Sequence, residues 1–216
     1  AMVSKGAKVL MQTGAGASAG YLDAEYEAVG ATFTDDRAEI FATADIVIQV
    51  QSFGSNNENS DSDLGYLRAG QLVIGMMDPL ASPAAAKSVA ATGASALALE
   101  LVPRISRAQS MDVLSSMATL AGYKAVLMAA SASPRIFPML MTAAGTLAPA
   151  RVLIMGVGVA GLQACATAKR LGAVVEAYDV RPAAREQIIS VGAKPVELDL
   201  DTGEVGRGAC RVGGEG

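Results

Sequence analysis

"VLIMGVGVAG", residues 152–161, decides how this chain is read: an apolar run breaks into three glycines spaced G-x-G-x-x-G. The spacing alone also fits a tight turn between a buried strand and a helix, so its context matters. "RVLIM" (151–155) reads as the strand before it, "GLQACATAKRLG" (161–172) as the helix after it, and "VVEAYD" (174–179) as the next strand. In that order Gly156 makes the tight turn, Gly158 leaves room for a pyrophosphate to approach the backbone, and Gly161 lets the helix pack close to the sheet. The helix N-terminus adds unpaired N–H groups and a positive dipole end for the phosphates. An acidic residue about 20 positions further on, at the end of the second strand, would bond the adenosine ribose, and Asp179 stands there. A carboxylate at that place repels a 2′-phosphate and favours NAD over NADP. Arg181, nearby, would either soften that discrimination or serve as a solvated or ion-paired residue. The candidate cofactor-binding set is Gly156, Val157, Gly158, Val159, Ala160 and Gly161, with Asp179, Val180 and Arg181.

Working outward, short β-like runs alternate with helical ones. "KVLMQ" (8–12), "ATFT" (31–34), "DIVIQVQ" (45–51), "QLVIGMM" (71–77) and "SALALEL" (95–101) read as strands. "YLDAEYEAVG" (21–30), "RAEIFAT" (37–43) and "SPAAAKSVAATG" (82–93) read as helices, the first stopping at Gly30 and the last starting at a proline. "SFGSNNENSDSDLG" (52–65) is polar, acidic and without period, which predicts a loop. "SMDVLSSMATLAGYKAVLMAA" (110–130) keeps apolar residues at helical spacing, and "GTLAPA" (145–150) is a predicted loop. A helix "AAREQIISVG" (183–192), a short strand "PVELDL" (195–200) and a glycine-rich tail follow. Strands alternating with helices imply βαβ units and a mostly parallel sheet. The expected fold class is therefore α/β, with two Rossmann-like domains over residues 1–121 and 122–216, joined through the 110–130 helix. An open dinucleotide-binding sheet is built from two βαβαβ halves; only one is found here, so the C-terminal domain is expected to be incomplete. "TGAGASAG" (13–20) also follows a strand, but no acidic residue falls at the right spacing. It is expected to be a strand-to-helix turn with Ser18 as a cap.

Composition narrows the function classes. The 216 residues are 51% hydrophobic but only 4% aromatic, with no Trp, so the core must be built from aliphatic residues and alanine. A formal charge of −4 argues against a nucleic-acid partner, which wants a basic footprint. Cys165 and Cys210 make no metal or redox spacing and are expected to be free thiols in a reducing compartment. "AMVSKGAKVL" lacks the pattern of a secretory signal. The strongest candidate span, "AVLMAASASPRIFPMLM" (125–141), is interrupted by Pro134, Arg135 and Pro138, so the chain is expected to be soluble. There is no histidine. Oxidising an alcohol or amine moves a proton as well as a hydride, and His or Lys usually carries it. Hydride transfer between two nicotinamides needs only two rings held face to face. Lys, Asp or Tyr would also serve as an acid or base, so both chemistries stay open on the residues alone.

Three segments carry a resemblance: "LVPRISRAQSMDVLSSMATLAGYKAV" (101–126), "FPMLMTAAGTLAPARVLIMGVGVAGLQACATAKRLGA" (137–173) and "YDVRPAAREQIISVGAK" (178–194). They resemble the NAD(H)-binding component (domain I, alpha subunit) of proton-translocating NAD(P) transhydrogenases, within the alanine dehydrogenase/pyridine nucleotide transhydrogenase family. "QTGAGASAGYLDAEYEAVGA" (12–31) is similar to both branches, and the resemblance covers residues 1–202. It implies NAD held in the cleft between two domains and a loop beside the nicotinamide that carries Arg104, Gln109, Asp112 and Ser115. Arg104 and the Asp112–Ser115 pair would hold the carboxamide and orient the ring, and Gln109 would reach toward a nucleotide carried by another component. The same residues also read as an exposed helix start, with Ser110 as N-cap, Asp112 favourable to the dipole and Arg104 solvated.

The resemblance further implies an NADP(H)-binding component and a membrane proton-channel component as partners, and a homodimer. The location it implies is peripheral, on the inner face of the bacterial inner membrane through those partners. Alanine dehydrogenases place a Lys near the end of the third strand and a His after the following one. Here Gln49 and Gln51 stand at the first place and Met76, Met77 and Asp78 at the second, which disfavours that branch. Family members carry a further strand and helix ahead of "VSKGAKVLMQTGAGA" and more strands after residue 202, so the chain is expected to be truncated at both ends. Missing strands would leave apolar surface uncovered. A non-catalytic remnant is therefore the alternative to the enzyme component.

Overall fold

The computed structural model describes residues 1–56 and 58–198. Two compact units divide the chain at Asp112/Val113. The predicted strand 195–200 and the tail fall partly or wholly outside the described residues.

In the first unit, β1 (Leu10–Gln12) and β2 (Thr32–Thr34) pair in parallel, joined through α1 (Asp23–Glu27). Helix α1 is shorter than its apolar spacing predicts. Its start is set by carboxylates: Glu25 accepts the Leu22 N–H at 2.9 Å, and Asp23 accepts the Gly14 N–H at 2.9 and 3.1 Å. The amide of the 13–20 turn is thus held by a side chain of the following helix, and Ser18 caps nothing: it lies inside a 3-10 turn, Ala17–Ala19. Helix α2 (Arg37–Thr43) starts on Asp36, whose side chain accepts the Ala38 N–H at 2.9 Å. Then β3 (Ile46–Gln51), α3 (Ser60–Tyr66), β4 (Leu72–Met76), α4 (Pro83–Ala91) and β5 (Ser95–Ala98) form a parallel sheet of order β3-β4-β5. Phe41, Val47, Phe53, Val73 and Val89 fill the core around the central strand.

The 52–65 stretch is not a loop. A 3-10 turn, Phe53–Ser55, leads into α3. The polar residues there face inward. Asp63 is fully buried and accepts the Arg37 guanidinium through Nε at 2.6 Å and Nη2 at 2.7 Å, and the Gln49 amide at 2.8 Å. Ser52, also buried, donates to Gln49 Oε1 at 2.7 Å. A buried carboxylate persists only when paired and hydrogen-bonded, and this one is both. Gln71 plays a similar part. Its buried Nε2 donates to the Phe41 and Ala44 carbonyls, each at 2.8 Å, closing the C-terminal end of α2.

The second unit opens with α5 (Val113–Ala132). An antiparallel hairpin follows, β6 (Leu140–Thr142) with β7 (Gly145–Leu147), where the sequence predicts a loop from Gly145. The hairpin register is set by a local turn, so it leaves no hydrophobic alternation to read. Next come β8 (Arg151–Met155), α6 (Val159–Arg170), β9 (Val174–Tyr178), α7 (Ala184–Ser190) and β10 (Lys194–Pro195), a parallel sheet of order β10-β9-β8. Its core is dominated by alanine: Ala150, Ala164, Ala168, Ala173, Ala177, Ala184 and Ala193 surround Cys165, Val157, Val175 and Ile188. Cys165 is a free, fully buried thiol, pushed up from its ordinary pKa by burial. Strand β8 lies at the edge of the described sheet, with Leu153 and Met155 exposed.

Helix α5 has 20 residues and a mean hydropathy of 1.4, long and apolar enough to cross a bilayer by those measures alone. The apolar segment lies upstream of the 125–141 window, ending before Pro134. Within the unit, Gly122 of α5 brings this helix against the start of α6. A Cβ on Gly122 would lie 2.1 Å from the Ala160 carbonyl oxygen, a backbone atom that cannot swing aside. Gly122→Ala should therefore destabilise the second unit by about 1–3 kcal/mol, the usual penalty for overpacking. Gly65→Ala, in α3 with open space around the new methyl, should stabilise by about 0.5–1 kcal/mol. Urea unfolding of both variants checks the opposite signs.

Candidate functional site

At the end of β8 the chain turns through Gly156, whose φ of +87° lies in the left-handed region that favours glycine. Two bonds pin the turn to the neighbouring strand: the Gly156 N–H donates to the Tyr178 carbonyl at 2.8 Å, and the Val157 N–H to Asp179 Oδ2 at 2.7 Å. Val157 itself is fully buried. The third glycine is required by contact. A Cβ on Gly161 would sit 1.9 Å from the Gly156 carbonyl oxygen, so the helix rises directly against the turn.

The second glycine is different. Gly158 is the N-cap of α6 with extended backbone, no side chain caps the helix, and nothing lies within 4 Å of where its Cβ would be. Neither crowding nor φ demands glycine there. Open space beside an uncapped helix start fits a group that must come close to the backbone. The bond from the Leu162 N–H to the Gly158 carbonyl, 2.9 Å, opens the helical ladder. The amides of Val159, Ala160 and Gly161 precede it, in the turn whose N–H groups and dipole favour an anion.

Asp179, just after β9, has a side chain only 7% exposed, and four N–H groups converge on it. Oδ1 accepts the Arg181 backbone N–H at 2.9 Å and Arg181 Nε at 3.0 Å. Oδ2 accepts Val157 N–H at 2.7 Å and Arg181 Nη2 at 3.2 Å. The same Nη2 donates to the Val157 carbonyl at 3.1 Å. The Arg181 side chain, then the Arg181 and Val157 amides, hold the Asp179 carboxyl down at about 2 against the opposing effect of burial. Val180 between them is exposed. Beside Asp179 lies a cavity of about 330 Å³ bordered by Arg181, Pro182, Arg185, Ile188 and Glu197. Arg185 and Glu197 form an ion pair across it. Sequence reasoning missed this pair, because nothing in the spacing of 185 and 197 announces that β10 returns beside β9.

The second predicted cluster is split between the units. Arg104, exposed, and Gln109, exposed within a 3-10 segment Ser106–Met111, belong to the first unit with Asp112. Buried Ala108 anchors that segment. Ser110 lies inside the 3-10 segment, so it is not the N-cap of α5; Asp112 is the residue directly before that helix. Ser115, in the first turn of α5, belongs to the second unit. Seven residues before Gly122, it shares the helix face that Gly122 turns to α6. The structure therefore joins Gly156–Gly161, Asp179 and Arg181 directly, and does not place Arg104, Gln109 and Asp112 among them. One unanticipated residue precedes the 101–112 segment. Glu100 Oε1 accepts the Met77 N–H at 2.7 Å and the Asp78 N–H, where Asp78 has a φ of +47°. This carboxylate ties the chain after β5 to the end of β4.

Two family models match the chain: the N-terminal domain of alanine dehydrogenase/PNT over residues 1–121 and the C-terminal domain over residues 125–208. The chain belongs to the alanine dehydrogenase/PNT family. Among its curated relatives, an NAD(P) transhydrogenase subunit alpha of Rickettsia prowazekii is 44% identical, over 92% of this chain and 51% of its own length. The subunit of the same name in Rhodospirillum rubrum is also 44% identical, over 99% of this chain and 56% of its own length. The chain thus spans about half the length of the curated relatives it matches. A solved transhydrogenase from Sinorhizobium meliloti superposes with a TM-score of 0.84 at 48% identity, covering 91% of this chain and 57% of that one. An L-alanine dehydrogenase shares the fold at a TM-score of 0.73 and 22% identity. The family's α/β architecture with mostly parallel sheets is the one found here.

The Asp179 bonds set a pH dependence. Its folded pKa lies below the ordinary value, so its contribution to stability is complete above pH 4 and is lost as pH falls toward 2. Asp179→Asn should destabilise the second unit by about 1–2 kcal/mol at pH 7. The difference from the parent should shrink between pH 4 and pH 2 in denaturant titrations.

Proposed function

We propose that this chain binds NAD(H) and is the NAD(H)-holding part of a proton-translocating transhydrogenase, exchanging hydride with NADP(H) held by a partner component. The observation that carries the reading is the join between Asp179 and the glycine turn. A carboxylate bonded to the Val157 amide stands between an open helix start on one side and a cavity on the other. That is the order in which pyrophosphate, ribose and adenine follow one another in a dinucleotide. Val159, Ala160 and Gly161 would receive the pyrophosphate, with Gly158 leaving it room; Asp179 would bond the ribose; the cavity beside Val180 and Arg181 would take the adenine. Arg104, Asp112 and Ser115 would orient the nicotinamide, and Gln109 would face the partner's nucleotide.

When bound, NAD(H) supplies or accepts the hydride at its nicotinamide ring. The residues of this chain are asked only to bind, orient and exclude water, which suits a sequence without histidine. The names of the relatives support the transhydrogenase branch. Gln49 supports it too. It stands where an alanine dehydrogenase would carry a Lys, and its amide is committed to Asp63 while its carbonyl accepts from Ser52. The proposed partners are an NADP(H)-binding component, a membrane proton-channel component and a second copy of the chain, with the assembly held at the inner face of the bacterial inner membrane.

The test is a titration of the chain with NADH and with NADPH, followed by nicotinamide fluorescence or calorimetry. Saturable NADH binding with much weaker NADPH binding is expected. Asp179→Ala should weaken NADH at least tenfold, about 1.4 kcal/mol, and narrow the gap to NADPH. A folded chain that saturates with neither nucleotide would replace this reading with a remnant that keeps the fold alone, an outcome to which exposed Leu153 and Met155 on β8 lend weight.

A further inference from the structure

The four N–H groups on Asp179 divide into two kinds. Each carboxylate oxygen accepts one backbone amide: Arg181 N–H on Oδ1 and Val157 N–H on Oδ2. Each also accepts one guanidinium N–H: Nε on Oδ1 and Nη2 on Oδ2. An ionised carboxylate offers about four acceptor sites, two on each oxygen, so all of them are occupied. The backbone pair would hold the carboxylate in place whatever else binds. The guanidinium pair takes one site on each oxygen, which is the pattern of donors that the vicinal 2′- and 3′-hydroxyls of a ribose present.

From this geometry we infer that Arg181 is a latch on the ribose subsite: its guanidinium occupies the acceptor positions that a ribose diol needs, and a nucleotide binds only by displacing it. The inference rests on the reading of Asp179 as the ribose partner. The latch is held at three points, since Nη2 also donates to the Val157 carbonyl of the glycine turn, but it is not sealed. The Arg181 side chain is 59% exposed while that of Asp179 is 7% exposed. The arginine can therefore swing into water without disturbing the carboxylate. Once released, the guanidinium stays tethered two residues from Asp179, beside the place where a 2′-phosphate would project. It therefore acts with opposite sign on the two nucleotides, competing with the free diol of NADH and attracting the phosphate of NADPH. Asp179 and Arg181 together, rather than the carboxylate alone, set the preference between them.

Arg181→Ala and Arg181→Lys are titrated with NADH and NADPH beside the parent and Asp179→Asn. Removing the latch should tighten NADH roughly three- to tenfold, the worth of a partly exposed ion pair, and should leave NADPH unchanged or weaker. Arg181→Lys, with a single ammonium in place of the two-point fork, should fall between parent and alanine; it also carries the test if the alanine variant fails to fold. A parent that does not saturate beside an Arg181→Ala that does would support the latch as well. If Arg181→Ala binds NADH no more tightly than the parent while Asp179→Asn binds it less tightly, the latch is overturned and the ribose subsite stands. If Asp179→Asn binds NADH as the parent does, or if neither the parent nor Arg181→Ala saturates, the subsite falls and the latch with it. A purely structural arginine would weaken both nucleotides together, which also overturns the latch.

Discussion

A carboxylate at the end of one strand holds the amide of the turn that follows its neighbour, and the second unit is arranged around that bond. Asp179 accepts the Val157 N–H at 2.7 Å, so the ends of β8 and β9 are tied at the point where the glycine turn leaves the sheet. Everything nearby answers to the position so fixed. Gly161 presses α6 against Gly156, and Gly122 presses α5 against α6. Two close approaches of backbone to backbone leave no room for side chains, which is why alanine and glycine dominate this core while leucine and phenylalanine are scarce. Close packing of small residues gives rigid, well-specified contacts, and dispersion between near backbones replaces part of what large side chains supply elsewhere.

Rigidity at the turn and openness beside it are complementary. Two glycines are demanded by φ or by contact, at Gly156 and Gly161, while Gly158 meets no protein atom at all. The site is thus shaped from within on both sides and left vacant in the middle. Its electrostatics follow the same division. The buried carboxylate is satisfied by fixed amides and by a mobile guanidinium, so its charge is stabilised with the helix start uncapped. A fold that places an acid so near an anion-binding helix end needs such compensation, since an unpaired carboxylate there would repel the phosphates the helix start favours.

The glycine spacing, the flanking strands and Asp179 were legible in the sequence because each is dictated by a local rule: a turn, a close approach, a period. The parallel order of both sheets was legible for the same reason. What escaped reading depends on partners distant in the chain. Residues 52–65 look like a solvated loop because the three-dimensional pairing of Asp63 with Arg37 and Gln49 turns their polarity inward. The hairpin at 140–147 has no buried face and therefore no alternation to detect. Gly122 reads as an ordinary residue of an apolar helix until the Ala160 carbonyl is seen against it, and Glu100 as a surface acid until it meets the end of β4. The split of Arg104, Gln109 and Asp112 from Ser115 likewise follows from where α5 packs, which no local rule states.

The bonds from Gln71 carry a consequence for how the first unit opens. Helix ends normally fray on their own, because their last carbonyls lose little when water replaces a helical partner. In α2 the Phe41 and Ala44 carbonyls are held instead by a fully buried amide at the threshold of the central strand β4. Releasing them would strand that amide in the core, at the cost of an unsatisfied buried donor. The end of α2 and the start of β4 therefore belong to one cooperative opening unit, sharing a single protection against hydrogen exchange. Helix α1, fastened by exposed carboxylates at its start, is free to exchange on a faster clock of its own.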